Sequence, residues 1–101
     1  MPKGYAIFTE DITDPEAIGA YAQVAIPTVI AAGGVPLVAG PADDVIEGEW
    51  HGNQNVIIEF ESVEAARNWY HSPDYQAVIG QRHAAAHSNG IIISGFEMPA
   101  G

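Results

Sequence analysis

Cysteine is missing from all 101 residues, which removes disulfides, thiolate nucleophiles and the usual cysteine-built zinc sites. Basic residues are nearly missing too. Lys3, Arg67 and Arg82 stand against 13 acidic side chains, for a formal charge of −10. Nucleic acid and anionic membrane are therefore poor partners, since binding phosphates draws on clustered Lys and Arg. No segment approaches the roughly 18 apolar residues needed to cross a bilayer, and the N-terminus MPKGYAIFTED lacks the charged start and long apolar run of a secretory signal. A soluble, cytoplasmic protein is expected, its acidity serving solubility. Phosphate-cradling glycine motifs, nucleophile elbows and dinucleotide fingerprints are absent as well, so hydrolysis through a serine triad is disfavoured. No cofactor and no metal is expected.

What is present reads as one domain over residues 1–101, with no composition shift along it. GYAIFTE, residues 4–10, has the aromatic and β-branched content of a strand. A helix is predicted over 14–32: Thr13 and Glu16 have capping-box spacing, Pro15 lies in the first turn, and Gly33 and Gly34 supply a left-handed stop. Pro27 should kink or shorten it. VPLVAG (35–40) reads as a second strand, with Pro36 tolerable only near its start or on an edge, and NVIIEF (55–60) as a third strand with Val56, Ile58 and Phe60 on one face. Between them lies a polar, turn-rich stretch with a short extended piece at 45–47. Ser62 caps a short helix that stops before Pro73, and Ser72 caps the next, which continues to about residue 87. GIIISGFEM, 90–98, is the last strand.

The order β-α-β-β-α-β most simply gives an antiparallel sheet with the helices on one face, the ferredoxin-like α+β arrangement. The second face would ordinarily be polar. Here Tyr5, Ile7, Ile57, Ile91 and Ile93 alternate with Ala6, Phe8, Ile58 and Ile92, so both faces are apolar. A chain of this length also buries only about two-thirds of its unfolded surface. A homodimer packed sheet against sheet is the expected resolution.

KGY at 3–5, DPEA at 14–17, GG at 33–34, EGEW at 47–50, EF at 59–60, AARNWYHSPDYQ at 65–76 and Arg82 together resemble the DUF1330 family, a domain of unknown function. The resemblance covers nearly the whole chain in order. It implies the dimeric α+β barrel, in which two ferredoxin-like protomers pair their sheets. It implies no particular reaction, since similar folds include cofactor-free isomerases, monooxygenases, haem-degrading enzymes and non-catalytic proteins. Three positions depart from the family's usual look, His71, Ala39 and His83.

Arg82 is the most informative single residue. On a helix starting near Pro73 it shares one stripe with Tyr75, Val78, Ile79 and Ala86, which sets a cation along an apolar face. Either it pairs with a carboxylate such as Glu59, or it anchors the carboxylate or enolate of a substrate. Tyr75 is a core residue or a proton donor; Ser72 is an N-cap or part of an anion site. A pocket lined by Tyr5, Trp69, Tyr75 and Arg82 follows, with Glu59 and Ser72 among its binding residues and His51 or His71 near its rim. His83 and His87 have helical i, i+4 spacing but lack a third ligand, which leaves them as surface residues. The leading expectation is a cofactor-free isomerase, lyase, cyclase or oxygenase acting on a small anionic or carbonyl-bearing metabolite, with catalytic residues Arg82, Tyr75 and His51. The alternatives are a non-catalytic ligand-binding protein and a structural dimer.

Overall fold

The computed structural model describes residues 2–99. The elements run β1 (Gly4–Ile12), α1 (Pro15–Ala31), β2 (Val35–Gly40), β3 (Gln54–Phe60), α2 (Val63–Tyr70), α3 (Pro73–Gln76), α4 (Ile79–Ala85) and β4 (Ala86–Ser94). The four strands form one sheet in the order β2-β3-β1-β4 with every neighbouring pair antiparallel, a ferredoxin-like α+β fold. Pro36 sits on the edge strand β2, where its missing donor costs no ladder bond, and the register slips between Pro36 and Val38.

Strand parity decides which side chains meet the helices. Ala6, Phe8 and Glu10 of β1 lie beside Ile58, Val56 and Gln54 of β3 on the inner face. There Ala6, Phe8, Ile58 and Phe60 pack with Ala25 and Val29 of α1 and Trp69 of α2 into the core. Tyr5, Ile7 and Thr9 pair with Glu59, Ile57 and Asn55 on the outer face, flanked by Ile93 and Ile91 of β4. No helix of the described residues is long and apolar enough to cross a membrane.

Several local expectations change. The α1 cap is Asp14, whose carboxylate accepts from the Ala17 amide at 3.1 Å, while the Thr13 hydroxyl donates to the Ala85 carbonyl at 3.2 Å. α1 runs through Pro27 and stops where Gly33 takes φ 78°. Residues 41–53 contain no strand, so the extended piece at 45–47 does not form. The largest difference follows Pro73. Instead of one helix to residue 87, a single turn of α3 gives way to α4, and Ala86 is already extended at φ −157°, ψ 151°. The cause is β1: each of its residues from Gly4 to Ile12 pairs with β4 from Ser94 back to Ala86, so the ladder recruits AHSN, which its composition would leave helical or in a turn. His83 therefore sits on a helix and His87 on a strand, and their i, i+4 relation is lost.

Candidate functional site

A cavity of about 260 Å³ lies between α1 and the inner face of the sheet. Its walls are largely aliphatic and aromatic, with Ile18, Ala22, Val29, Val56 and Trp69 among them. Polar groups enter from Glu10, Tyr21, Gln54 and Arg82. A few directional groups in an apolar cleft is the usual make-up of a small-molecule site. Glu10 is 3% exposed and Arg82 5% exposed, the two charged side chains buried among the described residues.

Arg82 reaches this position from α4, one helical stagger below Tyr75 of α3, because Ser72 and Pro73 restart the helix. The Ser72 hydroxyl accepts from the Tyr75 amide at 3.2 Å and donates to the Trp69 carbonyl at 2.7 Å, joining the end of α2 to the start of α3. The guanidinium then lies over the Phe8 ring, 4.8 Å from its centroid. Gly90 of β4 leaves room for that ring: a Cβ there would stand 2.7 Å from a Phe8 ring carbon. Arg82 Nε donates to the Tyr75 hydroxyl at 3.3 Å, and the Tyr75 and Tyr21 hydroxyls are 2.7 Å apart. Tyr75 is fully buried, and its hydroxyl shares this hydrogen bond with that of Tyr21, either oxygen being able to donate. Tyr21 lines the cavity. Arg82, Tyr75 and Tyr21 thus form one hydrogen-bonded chain that ends at the cavity.

Burial alone would lower the Arg82 pKa; interactions with Tyr75, Tyr21 and Glu10 outweigh it, and the net shift is upward. Arg82 stays a cation. Glu10 moves the other way in function: burial raises its carboxyl pKa, with the Arg82 charge and a hydrogen bond from Gln54 opposing this in part. Arg82 acts on Glu10 through charge and not through a hydrogen bond, so each keeps hydrogen-bonding capacity for something in the cavity. Tyr21 is pushed strongly up by burial and by Tyr75, and remains a donor.

The chain matches the family DUF1330, described as a domain of unknown function, over residues 3–96. It belongs to that family. No curated protein matches it. Among solved structures, a protein of unknown function from Rhodopseudomonas palustris is similar at TM-score 0.75 and 21% identity, covering 96% of this chain and 85% of the other. SnoaB, a cofactor-independent oxygenase from Streptomyces nogalater, is similar at TM-score 0.65 and 9% identity, covering 97% of each. A dimeric ferredoxin-like protein of unknown function from Jannaschia sp. is similar at TM-score 0.66 and 13% identity, covering 90% and 97%. At these identities the likeness shows the fold.

In this DUF1330 domain, Trp69, Tyr75 and Arg82 come together on the inner side of the sheet. Tyr75 stands behind the cavity wall, and Ser72 caps α3 without lining it. Tyr5 and Glu59 do not reach the cavity at all. They pair across the outer face, where the Tyr5 hydroxyl donates to Glu59 Oε2 at 3.0 Å. The expected Arg82–Glu59 ion pair is therefore absent, because the sheet lies between them. His51 is excluded for the same reason: its Nδ1 meets the Thr9 hydroxyl at 2.8 Å, and Thr9 has outer parity. His71 lines a different cleft, its ring 5.2 Å from that of Tyr70.

Sequence reasoning missed Glu10, Tyr21 and Gln54. The signals existed. Glu10 shares parity with Ala6 and Phe8, and Tyr21 falls three residues after Ile18 and four before Ala25, on the buried stripe of α1. Among the described residues no group of three or more His, Asp or Glu is placed to hold a metal ion.

Proposed function

We propose that this chain binds a small, largely apolar carbonyl compound in the cavity between α1 and the sheet and enolises it without a cofactor. The observation that carries this reading is the pairing of a buried, proton-avid carboxylate with a buried cation at the polar end of an apolar cavity, with no hydrogen bond between them. In the proposed step the Glu10 carboxylate takes a proton from the carbon next to the carbonyl. The electron pair left behind moves onto the carbonyl oxygen, which Arg82 and the Tyr21 hydroxyl hold. A raised carboxyl pKa brings the base closer to the pH at which it must work. An enolate is the common intermediate of isomerase, lyase, cyclase and cofactor-free oxygenase chemistry, and the fold shared with SnoaB supports the last of these.

Trp69 lines the cavity, so its fluorescence reports occupancy. In a Trp50→Phe background, saturable quenching by small cyclic or aryl ketones is expected, and Glu10→Gln should retain the quenching while losing roughly 10²–10⁴-fold in turnover. Quenching retained together with turnover in Glu10→Gln would remove Glu10 from the chemistry. Quenching with no turnover in the wild type would leave a binding protein.

We infer further that the protein is a homodimer sealed through the outer sheet face. Val35, Ile91 and Ile93 are 51%, 55% and 47% exposed there, beside Ile7 and Ile57, an apolar surface interrupted by the Tyr5–Glu59 pair. The Jannaschia neighbour of the same fold is described as dimeric. The outer-face pair Tyr5–Glu59 and the loop bearing His51 and Trp50 would then belong to the subunit contact.

A further inference from the structure

Behind Phe8 and Arg82, on the side away from the cavity, a second cleft of about 460 Å³ opens between α2, α4 and β4. Arg67, Arg82, His71 and His83 line it, and no acidic side chain does. The chain has three Lys and Arg residues in all, at a formal charge of −10. Two of those three, with two of its four histidines, gather around this one cleft. Like charges brought together cost free energy unless something of opposite sign offsets them; Glu10 offsets Arg82 from the cavity side, and no carboxylate lines the cleft wall to offset Arg67. The Arg67 side chain makes no hydrogen bond or ion pair among the described residues. The contact from Arg82 Nη2 to His83 Nε2 is 3.5 Å, at the outer limit of a hydrogen bond and easily given up.

A second observation is independent of charge. Ser88 lines the same cleft, and its buried Oγ has no hydrogen-bond partner. Buried hydroxyls are ordinarily satisfied, so this one is available to an acceptor in the cleft. A planar guanidinium fork, two imidazoles and an unpaired hydroxyl are complementary to a small oxyanion, which accepts from several donors at once.

We propose that this cleft is a binding site for a small oxyanion, the carboxylate or phosphate group of a metabolite, distinct from the enolisation cavity. Arg82 and Phe8 are shared walls, while Arg67, His71, His83 and Ser88 belong to the cleft alone. The proposal stands whether or not the cavity is catalytic.

The test is an amide NMR titration at constant ionic strength with inorganic phosphate and, separately, acetate. Saturable shifts at His83, Ser88 and Gly90 are expected, with dissociation constants on the order of 1 mM. Arg67→Gln, at an exposed helical position that leaves the core intact, should weaken binding roughly tenfold or more. Ser88→Ala should weaken it less. The tighter of the two ions identifies the ligand's head group. Linear, non-saturating shifts for both ions, or an affinity unchanged in Arg67→Gln, would overturn the assignment. Ketone quenching of Trp69 is measured in the same Arg67→Gln protein, so a failure of the cleft and a failure of the cavity are read separately.

Discussion

Tyr75 holds two buried obligations with one hydroxyl, accepting from Arg82 and sharing a hydrogen bond with Tyr21. Tyr75→Phe strands the Arg82 Nε–H, and a loss of about 1–3 kcal/mol in urea unfolding is expected. Tyr21→Phe should cost less, since Tyr21 is only half-buried. Glu10 gives a prediction with a sign. Its folded pKa is raised by burial, so the folded state binds its proton more tightly than the unfolded chain does. Stability is then fully present below the ordinary value of 4.5 and is lost as pH rises through the folded pKa. Urea midpoints of wild type and Glu10→Gln across pH should diverge in favour of the variant as pH climbs, then level off. A difference flat with pH would mean that burial does not govern this carboxyl. Arg82 was legible because a cation on the stripe of Tyr75 and Val78 has no solvent route, whereas Glu10 was not, since a charged residue closing a strand reads as its solvated end. Only the length of β1, which carries on to Ile12, puts Glu10 inside.

At the scale of elements, one serine organises the site. Ser72 ties α2 to α3 through bonds to Trp69, a cavity wall, and Tyr75, whose hydroxyl accepts from Arg82. Ser72→Ala should cost about 1 kcal/mol, which is roughly 4–8 °C in melting temperature for a domain of this size. It should also loosen the site, seen as weaker ketone quenching of Trp69. Gly90→Ala is expected to displace the Phe8 ring and with it the platform under Arg82. The helix stops and starts at Gly33, Ser62 and Ser72 were readable because each rests on local backbone chemistry within one turn. The passage from α4 to β4 was not. Alanine and histidine at 83–87 carry no strand signal, and the pairing that makes Ala86–Asn89 extended comes from β1, 74 to 80 residues earlier in the chain. Face assignment failed for a similar reason: parity puts Glu59 opposite Ile58, but only the packed helices decide which parity is inside.

For the molecule as a whole, the apolar outer face is the feature that composition and alternation made plainest, because both parities of β1, β3 and β4 carry isoleucine or an aromatic residue. Sedimentation should give twice the 10.7 kDa of one chain. Ile93→Lys sets a cation on that face, on the edge strand β4, and should yield monomers of lower stability. A wild type that sediments as single chains at micromolar concentration would refute the sheet-to-sheet dimer and leave the inner cavity untouched. The strongly negative surface also makes the basic cleft beside α4 an exception in the field of the molecule. Oxyanion binding there should weaken as ionic strength rises.

In the proposed chemistry the Glu10 carboxylate removes a proton beside a carbonyl, and that step can be watched without knowing the natural substrate. In D₂O, NMR would follow loss of the α-proton signal from a set of small cyclic and aryl ketones with wild type and with Glu10→Gln. Accelerated exchange for at least one ketone, abolished by Glu10→Gln while its quenching of Trp69 persists, is the predicted result. Exchange at the protein-free rate for every ketone that binds, or at the same accelerated rate in both proteins, would contradict it.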